Sequence, residues 1–412
     1  MSLKRPRKRY TKSRPRYTKM IVAARVLISA GEASGDLYAA ALATKLRRDH
    51  PGIELFGCAG PRMRAAGVEP VVESESLAVV GLLEVVGHIP RIYREYRKLV
   101  RSALERRPEL AILTDSPDFH LRVAKRLKRL GIPVLYLVAP QVWAWRRRRL
   151  PKIRRDVDRL LCIFPFEKDF FEKHGISTEY IGHPLTRMVR ASASPVELRR
   201  RFGVPDGARL IAVLPGSREG EIERHLPVLI EAVRAIRKGT SGTDPQTGGL
   251  ETCFTASLPP GVAEKFRERF LASSIQVHEG KTWDVLACSD LALAASGTVT
   301  IEACLLNTPI VTFYRVNRLS WLLGKLLVRV PFYSMVNLVA GRRVVPELIQ
   351  SDMSATRLAA EAVSLLENDD KRRQMREDLA QVAARLSGPD DPMEAAASLV
   401  TDLLEKEMVH AS

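Results

Sequence analysis

"LISAGEASGDLYAAALATKLRR", residues 27–48, starts as an unbroken apolar run and ends with the spacing of an amphipathic helix. That change of period marks a strand followed by a helix. Between them lies Gly31-Glu32-Ala33-Ser34-Gly35-Asp36. Glycines at the end of a strand let a backbone or a ligand approach closely, and the helix start behind them offers free N–H groups. The turn is not a dinucleotide fingerprint, because Gly31 and Gly35 are four apart, and it is not a phosphate loop, because no Gly-Lys-Ser/Thr follows. Two acids at a helix start, Glu32 and Asp36, disfavour a phosphate and suit hydroxyl groups, as on a sugar. A purely structural turn capped by Ser34 or Asp36 accounts for the same residues.

Outward from this stretch the same alternation repeats, which predicts a parallel α/β sheet. Strands are expected near 25–30, 53–58, 110–114, 133–138, 159–163 and 179–181, with helices at about 36–49, 91–107, 119–130 and 166–174. "IGHPL" at 181–185 reads as a linker, with His183 structural. The rhythm then restarts with strands at 209–214, 251–256, 275–278, 290–294 and 309–313 and helices at about 219–238 and 298–306. The reading is two Rossmann-like, doubly wound domains facing a cleft, with ligands at the carboxyl ends of the strands. Residues 1–19 form a disordered tail, 20–190 the first domain, 191–352 the second, and 353–412 a set of C-terminal helices.

Composition narrows the class. The 412 residues are 46% hydrophobic and 27% charged, as in an ordinary soluble protein. The net charge is +18, and half of it comes from nine Lys and Arg residues within positions 1–19, where no acid occurs. Such a tail binds nucleic acid or anionic lipid, or serves only as a solubilising extension. Arg25 interrupts the apolar stretch that follows, so a secretory signal is rejected, whereas a transit peptide fits the Ser/Thr-containing, acid-free tail. No apolar run reaches the ~18 residues of a membrane span. The five cysteines lack paired spacing, which points to a reducing compartment without structural zinc.

Four further stretches carry chemistry. "ELAILTDSPDFHL" places Asp115 just beyond a buried strand, where it acts on a substrate or caps the next helix; Asp118 is the better placed cap. "LIAVLPGSREGEIERHL" joins a strand to a helix start bearing Gly216, Ser217, Arg218 and Glu221, a combination suited to a diphosphate. In "ALAASGTVTIEACLL", Ser296, Gly297 and Thr298 open a helix, and Glu302 stands one turn on, able to accept both hydroxyls of a ribose. "APQVWAWRRRRLPKIRR" couples Trp143 and Trp145 to a basic cluster, as at membrane or nucleic-acid surfaces. No metal-ligand cluster and no Ser/His/Asp order is visible.

Taken in order, GEASGD (31–36), AGPRM (59–63), AVVGLLEVVG (78–87), DSPDF (115–119), PQVWAWR (140–146), PFEK (165–168), IGHPL (181–185), LPGSR with Glu221, ASGT with Glu302, and NLVAGR…VPELIQ (337–350) resemble the lipid-A-disaccharide synthase family over about residues 24–405. The resemblance implies a GT-B glycosyltransferase. It implies inverting transfer of 2,3-diacylglucosamine from UDP to the 6-hydroxyl of lipid X (2,3-diacylglucosamine 1-phosphate), without metal or other cofactor. Asp115 matches the catalytic acid/base position. Gly31, Glu32, Ser34, Gly35, Asp36 and Trp143 fall on the acceptor side, and Gly216, Ser217, Arg218, Glu221, Ser296, Gly297, Thr298, Glu302 and Asn337 on the UDP side. The implied setting is cytoplasmic, peripheral on the anionic inner membrane, with a homodimer possible and nucleic acid not expected. The competing readings are another GT-B UDP-N-acetylglucosamine transferase or epimerase, and a nucleic-acid binder using the tail. The tail and the 239–250 loop depart from the family pattern without interrupting a motif.

Overall fold

The computed structural model describes residues 24–77, 84–240, 251–317, 321, 330–388 and 390–411. The basic tail, residues 78–83 of the AVVGLLEVVG motif, most of the 239–250 loop and most of residues 318–329 lie outside them.

Two wholly parallel sheets form the frame. The first contains β1 (Arg25–Ala30), β2 (Glu54–Ala59), β3 (Glu69–Glu73), β4 (Leu110–Thr114), β5 (Val134–Leu137), β6 (Arg159–Cys162) and β7 (Thr178–Tyr180), in the order 3-2-1-4-5-6-7. The second contains β8 (Arg209–Leu214), β9 (Thr252–Leu258), β10 (Gln276–Glu279), β11 (Leu291–Ala295), β12 (Ile310–Tyr314) and β13 (Glu347–Ile349), in the order 10-9-8-11-12-13. The central strands read as continuous apolar runs because helices cover both faces: every residue of β4 and of β11 is buried. In each sheet the order reverses once, between β1 and β4 and between β8 and β11. The loops after those strands therefore meet at a crevice, which is where doubly wound sheets bind ligands.

Two strands escaped the sequence reading. β3 is an edge strand, Glu-Pro-Val-Val-Glu, with a single buried residue, and β13 has only three residues. Neither carries an apolar run. The helix expected to begin at 91 spans Glu84–Arg106, with Pro90 inside it. The block 353–412 also divides. Helices Ala355–Glu367 and Asp369–Leu386 lie against the second domain, but Pro392–Ala411 packs on helix Ala33–Asp49 of the first. Glu394 receives Lys45 Nζ at 2.5 Å and Arg48 Nη1 at 3.1 Å, and His50 Nε2 lies 2.8 Å from the Thr401 hydroxyl.

The chain thus passes between the domains twice, and the two passages touch. His183 N–H donates to Leu386 O at 2.9 Å, and the Tyr180 hydroxyl donates to the same oxygen at 3.2 Å. Gly182 has φ +83°, and a Cβ there would stand 2.7 Å from the Gly388 nitrogen. Gly131 has a similar φ, +79°, with open space around it. The pair separates backbone strain from crowding. Gly131→Ala is expected to cost about 1 kcal/mol and Gly182→Ala about 2–4 kcal/mol, read from urea unfolding midpoints. Equal losses would mean that the crossing yields freely.

Candidate active site

At the switch point of the first sheet, Asp115 explains the opening turn. Its Oδ1 accepts Gly31 N–H at 2.9 Å and its Oδ2 accepts Glu32 N–H at 3.1 Å. The carboxylate of one βα turn therefore sits on the helix start of the other. A Cβ on Gly35 would fall 1.6 Å from Asp115 Oδ2, and one on Gly31 2.5 Å from Ser116 Oγ. The two glycines make room for this carboxylate. Asp115 and Ser116 both adopt left-handed backbone, φ +55° and +36°, a conformation that costs non-glycine residues energy. It is held through the Asp115 carbonyl, which accepts the Tyr136 hydroxyl at 2.5 Å and His120 Nδ1–H at 3.0 Å. Since a carbonyl only accepts, His120 is protonated on Nδ1 and its Nε2 accepts the Ser29 hydroxyl at 2.7 Å. Burial lowers the His120 pKa to about 4, which keeps that ring neutral. The Asp115 pKa is raised to about 8. Desolvation is the larger cause and the charge of Glu32 the second, against the opposing backbone N–H bonds.

The second domain faces this group with the loop after β8. A Cβ on Gly216 (φ +128°) would meet Glu221 Oε2 at 2.8 Å. Glu221 accepts Ser217 N–H at 3.3 Å and the Tyr314 hydroxyl at 2.9 Å, so it shapes the loop from beneath. His225 fastens the loop, bonding Pro215 O through Nδ1 at 2.7 Å and accepting Arg315 N–H on Nε2 at 3.1 Å. Ser217 and Arg218 are left exposed at the start of helix Glu219–Thr240. Arg218 Nη2 reaches Glu32 Oε2 at 3.4 Å, joining the two walls of the cleft. After β11, Gly297 and Thr298 are exposed, and Gly297 is the N-cap of helix Thr298–Leu305 with no side chain to fill its N–H groups. The Ser296 hydroxyl donates instead to Tyr333 O at 2.9 Å. Glu302 is half-buried, its pKa raised by desolvation against a hydrogen bond with Trp283 and the charge of Arg62 in the first domain.

A family model described as "Lipid-A-disaccharide synthetase" matches residues 26–397. A lipid-A-disaccharide synthase of Solibacter usitatus is 54% identical over 388 residues, covering 94% of this chain and all of the relative. One of Myxococcus xanthus is 41% identical over 383 residues, covering 92% and 97%. The chain belongs to the lipid-A-disaccharide synthase family. It is a glycosyltransferase of lipid A biosynthesis with a GT-B fold. Solved structures share that fold at low identity. They include an S. aureus MnaA–UDP co-structure (TM-score 0.63, 12% identical, covering 93% of this chain and 97% of that one) and the calicheamicin glycosyltransferase CalG4 (0.57, 14%, 93% and 98%).

Several residues chosen on family motifs prove to support the site from behind. Asp36 does not cap its own helix; its buried carboxylate accepts Arg62 N–H at 2.9 Å and Met63 N–H at 3.0 Å, and Gly60 leaves it space. Neither it nor Ser34 caps helix Ala33–Asp49, whose N-cap is Glu32. Trp143 is buried, its indole N–H on Glu167 Oε1 at 2.9 Å; the exposed ring of this family motif is Trp145, with Arg146 over its face at 4.2 Å. Asp118 caps no helix but pairs with Arg146 at 2.7 Å and with Arg149. Asn337 is fully buried, giving Nδ2 to Val345 O and Glu347 and receiving Val344 and Val345 N–H on Oδ1. Its bonds are all spent on the protein, so it positions the 341–347 loop. Sequence reasoning missed His120, Tyr136 and Tyr314, which are ordinary core types distinguished only by what they touch.

The raised pKa of Asp115 makes stability pH-dependent. The folded carboxyl keeps its proton up to about pH 8, whereas an unfolded aspartate loses it near pH 4. Between those values the folded state binds more protons, so this group's contribution is full below about pH 4 and is lost as pH rises through about 8. Asp115→Asn removes that loss. Its stability relative to the unmodified protein should rise between about pH 4 and 8 by up to ~1.4 kcal/mol per unit and level off above about 8, in denaturant titrations. A gap independent of pH would contradict the assignment.

Proposed function

We propose that the chain transfers 2,3-diacylglucosamine from its UDP derivative to the 6-hydroxyl of lipid X, with inversion, giving lipid A disaccharide 1-phosphate and UDP. The observation that supports this reading is a carboxyl with a near-neutral pKa at one wall of the cleft, opposite Arg218 on the other. Asp115 takes the proton of the 6-hydroxyl as that oxygen attacks the anomeric carbon. The new C–O bond forms as the bond to the diphosphate breaks, and the electron pair leaves with UDP. Arg218 and the helix start behind it meet the charge that accumulates there. One base suffices for inversion, because no covalent intermediate is formed. No metal or other cofactor is assigned a part.

Incubation with the two lipids, with product detected by mass, tests the reading. The rate should climb with pH and level off above about 8, the pKa of the base. Asp115→Asn should lose roughly 10²–10⁴ of the rate together with that limb. Near-normal turnover of the folded variant would remove Asp115 as the base.

Among the described residues, no helix is long and apolar enough to cross a membrane. Helix Glu84–Arg106 exposes Ile89 and Tyr93 beside Arg91, Arg94, Arg97 and Lys98. We propose that this face rests on an anionic bilayer, where rings and aliphatic groups enter the headgroup layer and the cations meet lipid phosphate. The protein should float with vesicles containing anionic lipid at low salt and be partly released at high salt. Indifference to vesicles at low salt would count against it.

A further inference from the structure

Glu32 occupies a position that the transfer mechanism above leaves unused. Its backbone N–H is one of the bonds on the Asp115 carboxyl group, and its side chain holds Arg218 from the opposite domain at 3.4 Å. The groups facing Asp115 are Glu32 on the first turn, Ser116 beside it, Cys58 on β2, His120 on the next helix and Tyr136 on β5, which in turn feels Asp118 and Arg149 at the rim. Of these, His120 is neutral and buried, and Asp118 is engaged with Arg146 and Arg149. Among the described residues, Glu32 is the member of this set whose side chain also bonds the second domain.

We infer that Glu32 is a positioning residue linking the donor's diphosphate to the base. In this structure Arg218 rests on Glu32, with Glu221 Oε1 as a second acidic neighbour at 4.0 Å. A diphosphate draws Arg218 toward itself, because two anionic oxygens on a planar guanidinium outcompete one half-exposed carboxylate. Glu32 is then left without its cation, facing Asp115. A second negative charge at that range favours the protonated form of Asp115 and so strengthens it as a base. Donor binding thereby raises the basicity of the group that deprotonates the acceptor. Arg218 is the price of that signal: while it is held by Glu32, the diphosphate must displace it.

The inference rests on the proposed donor site, and the test keeps the two apart. UDP is titrated calorimetrically into the unmodified protein, Glu32→Gln and Glu32→Asp, and kcat is followed against pH with donor saturating. Glu32→Gln should bind UDP about two- to fivefold more tightly, since Arg218 is no longer competed for. Its acid limb should move to lower pH by about half a unit to one unit, because a charge near Asp115 is gone. Glu32→Asp, which retains the charge, should keep the limb near its original place. An unchanged UDP affinity or an unmoved limb in Glu32→Gln would overturn the inference. A raised acceptor KM alone would do the same, making Glu32 a hydroxyl-binding residue. Failure of the unmodified protein to bind UDP would instead overturn the donor assignment, and the inference with it.

Discussion

The carboxylate of Asp115 reaches across the switch point of the first sheet to the N–H groups of Gly31 and Glu32, and much of the surrounding sequence follows from that one contact. It needs β1 and β4 as neighbours, so that two turns distant in sequence lie side by side. It needs positions 31 and 35 without a Cβ, since either would collide with the Asp115–Ser116 segment. It needs two non-glycine residues in left-handed backbone, at a cost of about 1–3 kcal/mol each. The two N–H bonds to the Asp115 carboxyl group, at about 0.5–1.5 kcal/mol each, and the clamp on the Asp115 carbonyl by Tyr136 and His120 work against that strain.

Three carboxyl groups show why this one is suited to chemistry. Asp118 is exposed between two arginines, and its pKa is lowered: the guanidinium charges outweigh its partial burial. Glu167 is wholly buried and raised to about 7, although Trp143 and two backbone N–H groups bond to it. Asp115 is raised further, and its side chain keeps 13% of its surface open. Glu167 has a near-neutral pKa but no route to a substrate, and Asp118 has the route but is pinned as an anion. A perturbed pKa marks a site only where the group can also be reached.

Sequence patterning disclosed the elements whose signal is local. The apolar runs of β1, β4, β8 and β11 and the turns after them were legible, as was Asp115 at a strand end, because period and turn chemistry are written in adjacent residues. What was not legible depends on distant partners. Asp36 looks like the cap of its own helix until Arg62 and Met63 are placed before it. Trp143 and Trp145 are alike in sequence, and only packing against Phe166 and Glu167 puts one inside and leaves the other beneath Arg146. The last helix continues the helical pattern of 353–410 without a sign that it returns to the first domain.

That return sets where the two domains hold and where they yield. At the cleft mouth one contact between them is Arg218–Glu32, with side chains 52% and 47% exposed, the kind of pair that contributes about 0–1 kcal/mol, and Gln141 Nε2 lies 4.0 Å from Met335 Sδ. On the other side, the passages at 180–183 and 385–388 are joined by backbone hydrogen bonding and by two glycines whose backbones touch. The C-terminal helix adds Lys45 and Arg48 on Glu394. Separating the cleft walls at their mouth therefore costs little at this pair, while the crossing stays joined. The residues it would part are Glu32 and Arg218, those that a diphosphate would part chemically. The mechanically weak contact and the chemically responsive one are the same pair, so a ligand worth only a few kcal/mol can change the charge that faces the base without disturbing the frame that holds it.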